Sequence, residues 1–456
     1  MVSRAALQFR GGQSLMRQES GERAFVPAST PCKAEVRQKK DRQVFSCPRF
    51  YHSQVVPDKL TLARWHMIAP PVLTRAMTVF VGCGFAAKYR EGGGVFSVPL
   101  QWVLGLKRLG LDAVWLEIFP STGNEAADRR AVRSFQAQLR SYGLAENYCL
   151  LYQPRAEDVH ELASMRSFGM SQRHLRQRLA GPTTLLNLSY SVHPPLLLQF
   201  ERRILCDLDP SEIFYWMTKL EMGQSAHHEF CTIGLNLGAP DCRLPYSPLP
   251  WRTFYPLVDT ELIQRRRRPP RAKFTTIGQW YWGGAVEVNG EFPDLSKKFA
   301  FEKYLDLPKA VPEAEFELAM NISPDDREHA RLAQHGWHVI APHTVAKTAK
   351  RYREYIGSAA GEFTAIKGVD VTWRTGWVSD RAATFLAMGR PVVTEDTGAA
   401  RYLPGQSGFF FVDNVHAAAA SARQVIREWD SLSAEARATA VELFDAAKNL
   451  RKILTR

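Results

Sequence analysis

An alternation of buried-strand and amphipathic-helix patterns, which begins at Met77, constrains the fold more than any other feature. The segment MTVFVGCGF is a short apolar run ended by glycines, which is typical of a buried strand. Glycines 92–94 follow it, then an amphipathic helix pattern that ends at Gly110, then the apolar run DAVWLEIF at 112–119. Two strands joined by a helix within about forty residues predict a right-handed βαβ unit, which opens a parallel sheet.

The alternation restarts after an Arg/Pro segment, Arg265–Arg268 followed by Pro269 and Pro270. A run of arginines beside prolines is typical of a solvated linker. We therefore predict an α/β chain with two doubly wound, Rossmann-like lobes facing across a cleft, where ligands sit at the carboxyl ends of the strands. The predicted parts are an N-terminal lobe at 77–262, a linker at 263–273, a C-terminal lobe at 274–433 and a C-terminal helix at 434–456.

The basic charge is concentrated in the leader, residues 1–76. Of the net charge of +13, a share of +8 lies in this segment, which holds 13 Lys and Arg against 5 Asp and Glu. The leader shows no sustained periodicity, so we expect it to be a disordered extension, or an over-extended start with Met77 as the true first residue. Because the charge is separate from the body of the chain, nucleic acid is not an expected partner.

The remaining composition favours a globular protein of the cytoplasm. Apolar residues make up 45% of the chain, which is enough for large cores. No apolar run approaches the ~18 residues of a membrane span, and the N-terminus lacks the apolar segment of a secretory signal. The seven cysteines are scattered, odd in number and without a CxxC pair, which favours free thiols in a reducing compartment.

The most informative segment, residues 361–412, has the features of an anion site. Ser379 or Asp380 can cap a helix, and the apolar strand that follows this helix ends at Glu395. Backbone N–H groups at the start of the next helix would attract an anion, with the Thr397 hydroxyl and the Gly398 amide best placed for a diphosphate.

Three cations of the same segment, Lys367, Arg374 and Arg381, could neutralise phosphate charge. Capping and ion pairs in an ordinary α/β lobe are the alternative interpretation of all these residues.

This segment resembles the donor lobe of GT-B glycosyltransferases, in particular a bacterial group with a GWxSDRxxxxLAxGRPVVxxDTG-type sequence. The matching residues are Gly376, Trp377, Ser379, Asp380, Arg381, Leu386, Ala387, Gly389, Arg390, Pro391, Val392, Val393, Asp396, Thr397 and Gly398. The resemblance covers roughly 77–456 and includes a second match at Asp207-Leu208-Asp209-Pro210. It implies a nucleotide-sugar donor as substrate, with no cofactor and no metal. The paired glutamates of many retaining GT-B enzymes are replaced here by Gly376 and Thr384.

Candidates for the general base lie in the N-terminal lobe, since a base needs a group that accepts a proton near neutral pH. They are His193, His227, His228 and Asp209. A single histidine is more often structural. The Asp207–Asp209 pair has the D-x-D pattern of metal-dependent GT-A enzymes, but its place in a GT-B arrangement favours acceptor binding, base chemistry or a structural loop.

The glycine loop Gly92-Gly93-Gly94 resembles the first-lobe loop that faces the donor or acceptor across a GT-B cleft. Loops need glycine in any case, so the signal is weak. The loop has neither the GxGxxG spacing of a dinucleotide site nor a Walker-A lysine.

Three functions remain open from the sequence. The first is a glycosyltransferase (hexosyltransferase-like) that takes a nucleotide-sugar donor and a small-molecule or glycan acceptor. The second is a sugar-nucleotide epimerase or hydrolase of the same fold. The third is a non-catalytic protein that binds carbohydrate or a polyanion on a degenerate GT-B scaffold.

Overall fold

The computed structural model describes residues 77–155, 159–245, 249–282, 286–405 and 407–455. The predictions for the leader at 1–76 lie outside these residues. Within them, no helix is both long and apolar enough to cross a membrane.

The first lobe is built on an eight-stranded sheet of the described residues. Its strands are β1 Thr78–Cys83, β2 Asp112–Pro120, β3 Tyr148–Gln153, β4 Arg166–Gly169, β5 Thr183–Leu188, β6 Arg202–Asp207, β7 Glu229–Thr232 and β8 Trp251–Thr253. The spatial order is β4-β3-β2-β1-β5-β6-β7-β8, and paired strands run parallel except β4, which is antiparallel to β3. Helices α1 Gly93–Arg108, α2 Glu125–Ser141, α3 Gln172–Leu179 and α4 Pro210–Met217 complete it. Strand order reverses at β1, which leaves a crevice at the carboxyl ends of the central strands.

The second lobe has a separate six-stranded parallel sheet. Its strands are β9 Lys273–Gly278, β10 Glu315–Met320, β11 His338–Ile340, β12 Gly361–Thr364, β13 Val392–Thr394 and β14 Phe409–Phe411, in the order β11-β10-β9-β12-β13-β14. The helices are α5 Lys297–Phe301, α6 Leu307–Ala310, α7 Arg327–Gln334, α8 Pro342–Ala346, α9 Ala349–Gly357, α10 Gly368–Thr372, α11 Asp380–Ala387, α12 Val415–Arg427, α13 Trp429–Thr439 and α14 Ala446–Leu454. Two sheets with their own cores confirm the predicted pair of Rossmann-like lobes.

The chain returns to the first lobe near its end. The segment 434–456, predicted as one helix, is divided at Asp445, whose extended backbone separates α13 and a π-helical turn from α14. The carboxylate of Asp445 accepts a hydrogen bond from the Lys448 amide and pairs with Arg108 of α1 at 2.9 Å. Helix α14 packs on α1 so closely that a Cβ at Gly105 would overlap Leu450 and Ala446.

The arginines at 265–268 are exposed, and the main chain of this segment is bound to the second lobe. The fully buried Arg390 donates hydrogen bonds to the carbonyl oxygens of Arg266 (3.2 Å), Arg267 (2.8 Å) and Gly357 (2.7 Å). Its guanidinium also lies 5.1 Å from the ring centroid of Trp429. Sequence reasoning missed this because the acceptors are main-chain groups, which leave no mark on the side-chain pattern.

Candidate functional site

The two lobes meet at an ion pair between residues that follow strands β6 and β12. Lys367 Nζ lies 2.7 Å from both carboxylate oxygens of Asp209. The lysine side chain is 13% exposed and the aspartate 39%, so the pair lies at the edge of the interface rather than within it. Both residues lie at the carboxyl ends of parallel strands, where ligands bind in this kind of sheet. The structure thus brings together a predicted base and a predicted phosphate-binding cation.

The turn that presents Asp209 is held by Asp207. Asp207 is buried; its carboxylate accepts hydrogen bonds from the Thr232 hydroxyl at 2.6 Å and from the Asp209 amide at 2.8 Å. Burial raises the pKa of Asp207 to about 7, against the effect of these two donors. Pro210 then starts α4. Both oxygens of Asp207 are engaged within the protein, so Asp207 shapes the turn. No group of three or more metal-ligating side chains occurs among the described residues.

Two further carboxylates face Lys367, one from each lobe. Asp370 Oδ2 lies 3.8 Å from Lys367 Nζ, and Glu212 is close enough for its charge to influence the lysine. Burial would lower the pKa of Lys367, but the charges of Asp209, Asp370 and Glu212 outweigh burial, so its net pKa is raised. Lys367 is therefore a firmly protonated ammonium group at neutral pH.

A second cationic group lies behind Lys367 in the C-terminal lobe. Arg381 forms an ion pair with the buried Glu362 and donates to the Ile277 carbonyl at 2.7 Å. Lys297 donates to the Ala365 carbonyl, and its pKa is lowered to about 7, first by burial and then by the charge of Arg381. An anion placed here would stabilise the charged form of Lys297. No sequence pattern indicated Lys297, because its neighbours come from segments far along the chain.

A different group of residues forms the predicted diphosphate site, and its polar groups are hydrogen-bonded within the protein. These residues are Arg374, Asp396, Thr397 and Gly398. The Gly398 amide donates to Asp396 Oδ1 at 2.8 Å, and the buried Thr397 hydroxyl donates to the Trp377 carbonyl at 2.8 Å. The helix predicted after Gly398 is only a 3-10 turn, Ala399–Tyr402. The Asp396 carboxylate accepts from the Gly398 and Ala400 amides, where the sequence predicted a diphosphate, and the diphosphate site at Thr397 and Gly398 stays a prediction.

Arg374 connects this group to the first lobe. Its guanidinium lies 2.6 Å from Asp241 and 3.2 Å from Asp396. The backbone of Arg374 has a φ of 48°, in the left-handed region, and its carbonyl accepts a hydrogen bond from Asn236 Nδ2 at 2.8 Å. The loop that carries Asn236 and Asp241 is therefore bound to the loop that carries Arg374. Ion pairing across the lobes explains Arg374 without a ligand.

Ser379 and Asp380 lie at the start of α11, as the sequence indicated. Ser379 Oγ accepts a hydrogen bond from the Ala382 amide at 3.0 Å, so its side chain is engaged as the helix cap. Asp380 is half-buried, and burial raises its pKa to about 7. Ser379 therefore fits the capping interpretation of this segment, and Asp380 lies in the first turn of α11.

The three candidate histidines lie in different environments. His228 precedes β7, at the amino end of the strand, where Arg203 Nη2 lies 2.6 Å from its Nε2. That edge is opposite to the one where ligands bind, which argues against a catalytic role for His228. His227 is buried, its Nε2 lies 3.1 Å from Asn187 Nδ2, and burial lowers its pKa to about 4. These contacts fit a structural role.

His193 lies in the loop after β5, at the carboxyl edge of the sheet. Its ring stacks on His160, with centroids 4.6 Å apart, and its Nε2 lies 2.8 Å from the Tyr190 carbonyl. The structure therefore leaves His193 on the ligand-binding side, unlike His228.

The glycine loop packs directly against the second lobe. A Cβ at Gly93 would overlap the carbonyl of Thr348, and one at Gly94 would lie 3.0 Å from the Tyr352 ring. Glycine is therefore required here by the close approach of the lobes. The sequence predicted that this loop faces the donor or acceptor, and in the structure it contacts the second lobe at Thr348 and Tyr352.

Comparisons with known proteins support the fold. No protein-family model matches the chain, and no curated protein matches its sequence. Solved structures do match: the pneumococcal O-GlcNAc transferase GtfA in complex with UDP and GlcNAc has a TM-score of 0.52 at 9% identity, over 83% of this chain and 98% of GtfA.

Two others are Anabaena HepE in complex with UDP-glucose (TM-score 0.48, 10% identity, 83% of this chain and 98% of HepE) and an alpha-glucosyltransferase in complex with UDP and a 13-mer DNA (TM-score 0.49, 9% identity, 82% and 98%). With its two parallel-sheet lobes and its likeness to GtfA, this chain has the α/β GT-B fold of nucleotide-sugar glycosyltransferases.

Proposed function

We propose that this protein is a glycosyltransferase that moves a sugar from a nucleotide-activated donor to an acceptor hydroxyl. The observation that carries the proposal is the pair of Lys367 and Asp209, a cation and a carboxylate from opposite lobes at the carboxyl ends of β12 and β6. A transferase of this kind needs a cation for the leaving diphosphate and a base for the acceptor, and the two lobes supply one each.

The donor diphosphate binds beside Lys367 and Lys297 in this proposal. Lys367 carries a firm positive charge, and Lys297 gains one when an anion neutralises the effect of burial. Cations held in place stabilise the charge that develops on the leaving diphosphate, which is usually the largest contribution to such a reaction. Arg381 is bound to Glu362 and the Ile277 carbonyl, so it supports the site from behind.

Asp209 is the proposed general base. In the structure its carboxylate is neutralised by Lys367. When the diphosphate forms an ion pair with Lys367 in place of Asp209, the carboxylate of Asp209 becomes available to accept the proton of the acceptor hydroxyl. Closure of the lobes then places this hydroxyl for attack at the anomeric carbon and excludes water.

UDP is the first nucleotide to test, because GtfA was solved with UDP. We would measure the melting temperature of the full chain with UDP, GDP, UDP-glucose and UDP-GlcNAc, since a ligand of the folded state raises it. A stabilising nucleotide that loses its effect in Lys367→Ala supports the proposal. Stabilisation that is the same in Lys367→Ala would place the donor elsewhere.

Product analysis separates the three functions that the sequence left open. Nucleotide release that occurs only with an acceptor present identifies glycosyl transfer. Conversion of the sugar nucleotide without an acceptor identifies an epimerase or hydrolase. Glycan binding without any nucleotide binding would identify the non-catalytic alternative and overturn the proposal.

A further inference from the structure

Two buried carboxylate oxygens at the lobe interface have no hydrogen-bond partner among the described residues. They are Glu212 Oε2 and Asp370 Oδ2, on side chains of residues that are 8% and 0% exposed. Each residue lies in the first turn of a helix, α4 in the first lobe and α10 in the second. An acceptor that is removed from water without receiving a donor destabilises the folded state, so such oxygens are rare in native proteins.

No hydrogen bond from a described residue holds either oxygen in place. The other oxygen of Asp370 accepts a hydrogen bond from the Thr375 hydroxyl at 3.1 Å, which holds the side chain. Nearby Asp207 shows the usual pattern, in which both oxygens accept from the protein. Glu212 Oε2 and Asp370 Oδ2 thus interact with Lys367 through charge, and neither accepts a hydrogen bond among the described residues.

The chemistry of the surroundings indicates which ligand would use it. Carboxylate oxygens repel a phosphate, so the diphosphate does not bind there. The cation of the cluster is already present, because Lys367 Nζ is 3.8 Å from Asp370 Oδ2 and 2.7 Å from Asp209. The two oxygens still lack hydrogen-bond donors, and neutral O–H groups would serve. A sugar presents several such groups on one rigid ring.

We propose that Glu212 Oε2 and Asp370 Oδ2 form a sugar subsite, which accepts hydrogen bonds from hydroxyl groups of the donor's sugar. This inference rests on the proposed function. Because α4 and α10 belong to different lobes, a sugar bound by both carboxylates also favours the closed arrangement of the lobes.

The test compares the affinity for UDP with the affinity for UDP-glucose and UDP-GlcNAc in wild type, Glu212→Gln and Asp370→Asn. Calorimetry gives both affinities. The affinity for the sugar nucleotide divided by the affinity for UDP measures what the sugar contributes to binding. We expect the ratio to fall at least tenfold in each variant, because the amide nitrogen of Gln or Asn donates and cannot accept the hydrogen bond of a sugar hydroxyl. UDP affinity itself should stay the same or increase, since a negative charge near the diphosphate is removed.

Asp128→Asn is the matched control. Asp128 is equally buried, but its oxygens accept hydrogen bonds from the hydroxyls of Ser121, Thr122 and Tyr152. This variant should lose stability and keep the wild-type ratio. An unchanged ratio in folded Glu212→Gln and Asp370→Asn would overturn the subsite, as would an equal loss in the control.

Two further measurements keep the proposal falsifiable if a variant does not fold or if no nucleotide binds. Deoxy analogues of the bound sugar nucleotide, tested on wild type, should include at least one that loses tenfold or more in affinity. If no nucleotide binds, the proposed function fails, and saturation-transfer NMR with free glucose and N-acetylglucosamine then tests the subsite separately. Sugar binding that Glu212→Gln abolishes supports the subsite, and absence of sugar binding to wild type overturns it.

Discussion

Lys367 and Asp209 are 158 positions apart in the sequence, yet the ammonium nitrogen of one lies 2.7 Å from both carboxylate oxygens of the other. One follows a strand of the second lobe and the other follows a strand of the first. Because each neutralises the other, a ligand that binds either side chain also changes the state of its partner. In the proposed function, this relationship connects donor binding to the availability of the base.

In the proposed function the diphosphate replaces Asp209 as the partner of Lys367. This exchange predicts opposite effects of two substitutions on nucleotide affinity. Lys367→Ala should weaken UDP binding roughly 10- to 150-fold, because hydrogen bonds to charged groups contribute ~1.5–3 kcal/mol. Asp209→Asn removes a competitor for Lys367 and should strengthen UDP binding, while turnover falls by ~10²–10⁴, as expected for loss of a general base. Calorimetry and a nucleotide-release assay measure the two effects. Weaker UDP binding in Asp209→Asn would contradict the exchange.

Thr397→Val should affect stability and leave nucleotide affinity unchanged. The buried hydroxyl of Thr397 donates to the Trp377 carbonyl at 2.8 Å, so its removal leaves an unsatisfied acceptor at a cost of about 1–3 kcal/mol. Urea unfolding measures the loss and calorimetry with UDP measures the affinity. Weakened UDP binding in a folded variant would restore Thr397 to the donor site.

Gly93→Ala should disturb the packing of the lobes. The new Cβ would overlap the main-chain carbonyl of Thr348, and overpacking of this kind costs typically about 1–3 kcal/mol. Gly181→Ala is the control, because the nearest atom to its Cβ would be 3.6 Å away. Thermal melts of both variants should show a lower melting temperature for Gly93→Ala only. Equal melting temperatures would mean that the loop does not pack as described.

The pH dependence of stability should respond to Glu117, which is fully buried in β2. Burial raises its pKa from 4.5 to about 7, although the Ala87 amide and the Trp115 indole both donate to its carboxylate. Between these two pKa values the folded protein binds more protons than the unfolded chain, so stability falls as pH rises from about 4.5 to 7.

Glu117→Gln removes this contribution. The slope of unfolding free energy against pH should become less negative in this window, by up to about 1.4 kcal/mol per pH unit. Urea titrations at several pH values measure the slope, and Glu125→Gln, with an exposed side chain, is the control. An unchanged slope would show that Glu117 is ionised throughout.

The sequence by itself determined the local structure and the fold class. The apolar runs became strands, Ser379 became the cap of α11, and the repeated alternation produced two parallel sheets. These features follow from spacing along the chain, because the period of a helix or strand fixes which side chains share a face.

Only the tertiary structure decided which candidates lie together. Lys297 meets the Ala365 carbonyl 68 positions away, and the Asp396 carboxylate fills the turn that the sequence had assigned to a diphosphate. His228 fell on the amino edge of the sheet because strand ends are not visible as edges in the sequence. The physical reason is that contacts between distant segments depend on how two lobes approach each other, whereas the sequence pattern records only periodicity within each segment.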